Sequence, residues 1–484
     1  MSRFLASALA AAALLASCGK SNDPPPPPVT TAFTWEPKAR DEAIAAGKAV
    51  LVKNECRRCH DIDDLPAPVR PNYCTSCHEF LKGLKPGDKQ YEEIKTRYGE
   101  EFIKRYQRNI VHLMKVPNLT NIGRRVRADY IASFLADPYD QRPTLEESMI
   151  RHNLGESDIK AVARYFAAIA NAPDPYAASY KAPELGQRPP QSRIEKGKQL
   201  FLGKGCVACH TFGNVETGMS RATLEAARTT NELAPNLRFA KERTRPDVIV
   251  AWIQNAPAIS PGTVMPASGM TREEAEQVRD FLFFGDPELR SPPEGETLPA
   301  PKILNREVTW EEAKARTLGK VCVHCHMNDF EKDTGPGNKG GFGYKGIGLA
   351  MRTYEALVNG AVDMEGKRYS VLVAKSGESQ APLVSAMMRR KVEEMRDHVP
   401  AFADYERPRY PISLGMPMGL PSMTDEEISI LATWIAQGCK GPKTVWGRPG
   451  INDGLLVQDG PLKKNEGCEL RPPEHPRPKW AYDQ

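Results

Sequence analysis

No stretch of this 484-residue chain is long and apolar enough to cross a bilayer. Its longest apolar run lies near the N-terminus and covers about 14 residues, where a spanning helix needs roughly 20. An excess of one charge is also missing. Lys and Arg number 66 against 61 Asp and Glu, a net charge of +5, and no long Lys/Arg block occurs, so nothing points to nucleic-acid binding. With 26% charged and 40% hydrophobic residues, the composition fits neither wholesale disorder nor a multi-span membrane protein. The cysteine count lacks parity: there are 11, and an odd number needs an explanation. The length suggests about three domains.

One cysteine is accounted for at the N-terminus. Residues 1–17, MSRFLASALAAAALLAS, place a single Arg ahead of the apolar run and have the proportions of a signal peptide. The run ends in Leu15-Ala16-Ser17-Cys18-Gly19, which resembles the lipobox of bacterial lipoproteins. The resemblance implies that Cys18 is lipidated and becomes the first mature residue; the alternative is an ordinary signal peptide containing a cysteine. Residues 18–38 then form a tether with five consecutive prolines, Pro24 to Pro28, a stiff extended spacer. The expected location is a bacterial membrane, reached by the lipid anchor, with the protein facing the periplasm or the cell exterior.

Eight further cysteines fall into one pattern. Cys-x-x-Cys-His occurs four times, at Cys56/Cys59/His60, Cys74/Cys77/His78, Cys206/Cys209/His210 and Cys322/Cys325/His326. Two thiols one turn apart can add to the two vinyl groups of a haem, and the adjacent His then faces the iron as its proximal ligand. A thioredoxin-type redox pair needs no following His. A zinc ribbon built from Cys56/Cys59 and Cys74/Cys77 would leave both histidines unexplained. Four covalently attached haem c groups are therefore expected.

A haem iron that only carries electrons takes a sixth ligand. In residues 190–288 an amphipathic helix, Ile194 to Lys204, leads into the motif. Pro235-Asn236-Leu237 follows, then a helical stretch Asp247 to Asn255, Met265-Pro266, and a helix Arg272 to Phe284 with Ala275, Val278, Phe281 and Leu282 on its apolar face. This order resembles class I c-type cytochromes, a small all-α family, and the resemblance makes Met265 the distal ligand of the iron held by His210.

The skeleton recurs in residues 39–172. Pro117-Asn118-Leu119 matches Pro235-Asn236-Leu237, Asp129-Tyr130-Ile131 matches Asp247-Val248-Ile249, and Ser157 to Ala170 supplies the last helix. The entry helix Arg40 to Lys53 pairs the Cys56 haem with Met149, although Ile150 and not Pro follows that Met. This module carries a second haem at Cys74. Its distal ligand is expected near the end of a helical run Tyr91 to Val111: His112, with Met114 as rival. An exchange of Met149 and His112 between the two haems stays open. The third module, residues 303–440, starts with a helix Trp310 to Gly319. After a glycine-rich insertion, Gly335 to Gly348, it reaches Met416-Pro417-Met418 and a helix Thr424 to Ala436. Met416 is the first choice of ligand because it precedes Pro, and Met418 the rival. His324 and His398 read as solvent-facing or hydrogen-bonding residues.

Proline-rich linkers, Asn171 to Gln191 and Asp286 to Pro301, separate the modules. The tail, residues 441–484, has no clear helix. Its Cys468 and the isolated Cys439 are the last unassigned cysteines, and an oxidising compartment makes a disulfide between them the expected pairing over two free thiols. The whole reads as an all-α protein of three cytochrome c-like modules on Pro-rich linkers. It acts as a membrane-anchored electron relay between a quinol-oxidising or other respiratory donor and a terminal oxidase or reductase, with redox proteins as partners and no nucleic acid. The alternative is a haem enzyme, di-haem peroxidase-like or thiosulfate-oxidising, using one open haem site.

Overall fold

The computed structural model describes residues 34–62, 65, 74–109, 116–136, 138, 139, 141, 142, 149, 152, 154–181, 185–218, 233–289, 299–327, 348–363, 365–395, 415–417, 422–442 and 467–470. The signal segment, Cys18, the proline tether, His112, Met114, His398, Met418 and most of the tail lie outside the described residues.

Helices dominate, in keeping with an all-α reading. The first module contains α1 (Pro37–Lys53), α2 (Cys74–Gly83), α3 (Lys89–Tyr98), α4 (Glu100–Asn109), α5 (Ala128–Ala136) and α6 (Glu156–Ile169). The second contains α7 (Gln191–Gly203), α8 (Ala240–Arg243), α9 (Ile249–Ile259) and α10 (Arg272–Phe284). The third contains α11 (Trp310–Arg316), α12 (Tyr354–Val358), α13 (Pro382–Met395) and α14 (Asp425–Ala436). Its insertion adds one antiparallel pair, β1 (Ala361–Val362) with β2 (Arg368–Tyr369), the one sheet among the described residues.

Local chemistry explains the helix boundaries. Pro37 opens α1, where its missing N–H costs nothing, and the Glu36 carboxylate accepts from the Ala39 N–H. Thr271 with Glu274 and Thr424 with Glu427 form reciprocal capping boxes at the starts of α10 and α14. The single run expected over Tyr91 to Val111 is two helices. Gly99, at φ +89°, breaks it between α3 and α4, a conformation a residue with a Cβ adopts only under strain. Helix α9 is kinked at Asn255 because Pro257 withdraws a donor from its ladder.

Each module has its own core. In the first two, the entry helix crosses the exit helix closely. A Cβ on Gly47 would collide with Tyr165 and Ala161, and one on Gly197 with the Gln277 carbonyl and Phe281. These glycines are equally spaced from Cys56 and Cys206. At the same distance before Cys322 stands Ala313, fully buried. The crossings are fastened by polar links: Arg40 Nε donates to the Ala168 carbonyl at 3.1 Å, and Arg193 Nε lies 2.6 Å from the Asp280 carboxylate. In the third core Trp310, Tyr354 and Trp434 meet edge-to-face or tilted, with centroids 5.4–6.3 Å apart. A small fourth core, Leu81, Leu84, Tyr91 and Ile103, lies under α2 to α4.

The first two modules meet along a seam with internal two-fold character. Val126 and Thr244 form an antiparallel bridge, Arg127 N donates to Arg243 O at 2.9 Å, and Arg245 N donates to Arg125 O at 2.9 Å. The two bonds are each other's equivalents in the repeat, in which Arg125 corresponds to Arg243 and Arg127 to Arg245. Phe239 enters the first module's core, its ring 5.1 Å from Tyr139.

Cys439 and Cys468 form a disulfide with Cα atoms 5.1 Å apart, as the sequence suggested. The tail segment there is also held by Ser370 Oγ, which donates to Cys468 O at 2.8 Å, and by Tyr354 OH, which lies 3.4 Å from Gly467 O.

Two stability effects follow. Gly197→Ala is expected to destabilise the second module by roughly 1–3 kcal/mol through overpacking, read as a lower denaturant midpoint. Replacing both Cys439 and Cys468 with Ala opens a link with a sequence separation of 29. It is expected to cost roughly 3–4 kcal/mol, seen as a lower melting temperature that reductant reproduces in the parent protein.

Candidate haem sites

Three of the four motifs share one local design. The entry helix stops, one residue takes an unusual backbone conformation, and the chain makes a single tight turn through the two cysteines. Glu55 (φ +50°) and Gly205 (φ +80°) are those stop residues in the first two modules. The turns are Cys56–Arg58, Cys206–Ala208 and Cys322–His324. The second cysteine closes each turn: Cys59 N–H donates to Cys56 O at 3.3 Å, Cys209 N–H to Cys206 O at 3.2 Å and Cys325 N–H to Cys322 O at 3.2 Å. The histidine N–H then donates to the same carbonyl: His60 to Cys56 at 3.0 Å, His210 to Cys206 at 2.9 Å and His326 to Cys322 at 2.9 Å. Cys206 and Cys209 are both half-buried.

The imidazoles are then aimed from a distance. His60 Nδ1 lies 2.8 Å from Pro117 O, His210 Nδ1 2.8 Å from Pro235 O, and His326 Nδ1 3.4 Å from Leu349 O. A carbonyl can only accept, so Nδ1 carries the proton and the Nε2 lone pair is left for a metal. A backbone rung holds each carbonyl in place. Leu119 N donates to Asp61 O at 2.9 Å, Leu237 N to Thr211 O at 2.8 Å and Met351 N to His326 O at 2.7 Å. Desolvation lowers the pKa of His60 and of His326, which favours the neutral ring that can act as a ligand.

Pro117-Asn118-Leu119 and Pro235-Asn236-Leu237 thus recur in the sequence because their carbonyls orient the rings. Asn236 is 1% exposed, and its Oδ1 accepts from Gly213 N and Arg238 N, both at 3.0 Å. Asn118 Oδ1 accepts from Thr120 N at 2.7 Å. In the third module Leu349 takes the role of the proline, and no sequence signal marked it.

The fourth motif differs from the other three. Cys74 to His78 lie within α2 and not after a helix. Cys77 is therefore a mid-helix residue, where Cys59, Cys209 and Cys325 each close a tight turn; its side chain lies outside the described residues. A helix supplies the same one-turn spacing of two thiols without any stop residue, because positions three apart share a face. His78 is buried, and Gln107 Nε2 ties α4 to α2 by donating to Leu81 O at 3.0 Å and Leu84 O at 2.7 Å.

The motifs also converge. The Cys59 thiol is hydrogen-bonded to that of Cys74; the contact raises the first and, with the Arg58 guanidinium beside it, lowers the second to about 7. Cys325 lies within electrostatic reach of both Cys74 and Arg58. Arg58, 6% exposed and ion-paired with Glu55, therefore stands among cysteines of three different motifs.

Of the proposed distal ligands, Met149, Met265 and Met416 are described, and all three are half-buried. Met265 occupies the loop between α9 and α10, where its N–H donates to Thr263 Oγ1 at 3.4 Å. Met416 N–H donates to Ala386 O at 2.9 Å, anchoring that segment to α13.

The residues present suit haem c. Neutral Nε2 donors are ready in place. Cys56, Cys59, Cys74, Cys206, Cys209, Cys322 and Cys325 all stand outside the disulfide. Burial pushes the Cys322 thiol up to about 12. Among the described residues no group of three His, Cys, Asp or Glu is placed to hold a bare metal ion. Thr211 Oγ1, Asn236 Nδ2 and Gln141 Oε1 are buried without a hydrogen-bond partner, as polar atoms facing a bound group would be. Comparisons with protein-family models, curated proteins and solved structures give no match.

Asn236→Ala is expected to destabilise the protein by roughly 1–3 kcal/mol, because the buried Gly213 N–H and the half-buried Arg238 N–H lose their acceptor. Chemical denaturation followed at the second module checks this, and Asn236→Asp, which keeps an acceptor oxygen, should lose less.

Proposed function

We propose that this protein is a lipid-anchored tetrahaem c-type cytochrome of all-α modules, working as an electron relay without substrate turnover of its own. The observation that carries the reading is the thrice-repeated turn in which the ring after Cys-x-x-Cys is oriented through Nδ1 by a backbone carbonyl. Bound there, a haem c supplies one-electron redox chemistry at its iron.

The chain's own residues do the rest. The pairs Cys56/Cys59, Cys74/Cys77, Cys206/Cys209 and Cys322/Cys325 fix the group covalently, and His60, His78, His210 and His326 supply the proximal donor. The Nδ1–carbonyl bond makes each oriented ring a better donor. Met149, Met265 and Met416 supply soft uncharged sixth donors, which favour reduced iron and positive potentials. His112 or Met114 serves the Cys74 site. Convergence of Cys59, Cys74 and Cys325 around Arg58 supports a relay, because attachment points held together keep redox groups within short reach. Such potentials suit passage from a quinol-oxidising or other respiratory donor to a terminal oxidase or reductase, with the lipid on Cys18 keeping the protein at the membrane.

The reduced protein is expected to carry four haem c per chain by pyridine haemochrome assay and to bind little or no carbon monoxide. Positive midpoints for the methionine-ligated centres complete the expectation. One haem that binds carbon monoxide fully would turn the reading to an enzyme with an open site.

A further inference from the structure

Three residues of the first module, Tyr139, Gln141 and Arg142, reach across to one segment of the second. The Tyr139 ring lies 5.1 Å from that of Phe239. Gln141 O accepts from Asn236 N at 2.7 Å, and Arg142 Nε donates to Leu233 O at 3.1 Å. Both Gln141 and Asn236 are buried, so their bond is shielded from water. On its own side the reaching segment is anchored by Tyr139 OH, which lies 2.9 Å from the Tyr130 OH of α5. The partners Leu233, Asn236 and Phe239 bracket Pro235, the residue whose carbonyl orients His210.

One peptide unit carries the connection. The Pro235 carbonyl and the Asn236 N–H belong to the same amide. On one side it accepts from His210 Nδ1 at 2.8 Å, and on the other it donates to the first module. Hydrogen bonds in series polarise one another, so an amide whose N–H is bonded has a more negative oxygen. The Gln141 contact therefore strengthens the bond from His210 Nδ1–H and raises the basicity of Nε2. The equivalent amides beside the other two oriented rings lack this arm. Among the described residues neither Asn118 N, after Pro117, nor Ala350 N, after Leu349, donates a hydrogen bond.

We propose that Tyr139, Gln141 and Arg142 of the first module are positioning residues for the haem of the second, setting the donor strength of His210 through the Pro235–Asn236 amide. The inference rests on the haem reading above. A more basic proximal nitrogen stabilises oxidised iron, so the contact lowers the midpoint of the Cys206 centre. The Cys56 centre, built on the same skeleton, receives no such contribution. Two modules of one sequence pattern thereby take unequal potentials, a bias that runs electrons from the Cys206 centre towards the Cys56 centre. The potential of the second module thus depends on its docking against the first.

The test is a spectroelectrochemical titration of the full haem-loaded protein, with haem counted by pyridine haemochrome. The Cys206 centre is identified as the one whose midpoint moves in Met265→His. Tyr139→Leu keeps the charge and removes the ring from Phe239. It should raise the Cys206 midpoint alone, shifting the reduced-to-oxidised ratio at fixed potential about two- to tenfold, where tenfold corresponds to about 59 mV. The low-spin EPR g-values of that centre, which report axial donor strength, should move with it. Tyr139→Phe, which keeps the ring, should restore both. Arg142→Ala, at a half-buried side chain, is the second variant. Its lost charge shifts midpoints by itself, so its readout is the g-values of the Cys206 centre, and Arg142→Lys, which can still donate to Leu233, should restore them. Four haems with unmoved Cys206 g-values in Tyr139→Leu and Arg142→Ala, a fall of the Cys206 midpoint in Tyr139→Leu, or equal shifts at all four centres would overturn the positioning role and leave the cytochrome reading standing. A parent protein without haem would instead remove the reading beneath.

Discussion

The hydrogen bond from a motif histidine's Nδ1–H to a carbonyl far along the chain is the constraint around which the described modules are organised. The tight turn through the cysteines fixes where the ring starts, but not which nitrogen it presents. Pro117, Pro235 and Leu349 settle that, each by placing a single acceptor about 3 Å from the ring. For the carbonyl to be there, the segment bearing it must be pinned, and the rungs from Leu119, Leu237 and Met351 pin it. For the turn to be there, the entry helix must end at the right height. That height is set by the close crossing of entry and exit helices at Gly47 and Gly197.

This chain of dependence runs through small cores, because a module this short buries little on its own. The third module takes another route to stability. It has an edge-to-face Trp310–Tyr354–Trp434 centre, and a disulfide returns the tail to the end of its last helix. The odd cysteine count resolves in the same way: one at the lipobox-like site, eight in the motifs and two in the disulfide.

The pairing of the first two modules adds a property neither has alone. Equivalent segments meet across the seam and exchange hydrogen bonds reciprocally, so a single repeated sequence builds both halves of one interface. The price is two desolvated arginines, Arg125 and Arg243, brought face to face, a repulsion that matters only because both copies are present.

Much of this was legible in the residues. The Cys-x-x-Cys-His spacing, the recurrence of Pro-Asn-Leu, the helix Arg272–Phe284 and the Cys439–Cys468 bridge all depend on neighbours in sequence or on simple pairing, and local chemistry writes them plainly. The same spacing did not reveal that Cys77 sits inside a helix while Cys209 closes a turn, because both backbones bring residues three apart to one side. The role of Pro117 and Pro235 was visible as a repeat but not as a function, because what acts is a backbone carbonyl that any residue could offer; Leu349 proves the point. The split of the expected Tyr91 to Val111 helix at Gly99 turned on one backbone angle. The convergence of Cys59, Cys74 and Cys325 on Arg58, and of Arg125 and Arg243 across the seam, could be decided only in three dimensions. Sequence sets which groups a chain owns and how each helix starts and stops. The meeting of charges from separate modules is set by how those modules pack, because their interaction depends on distance and on the water excluded between them.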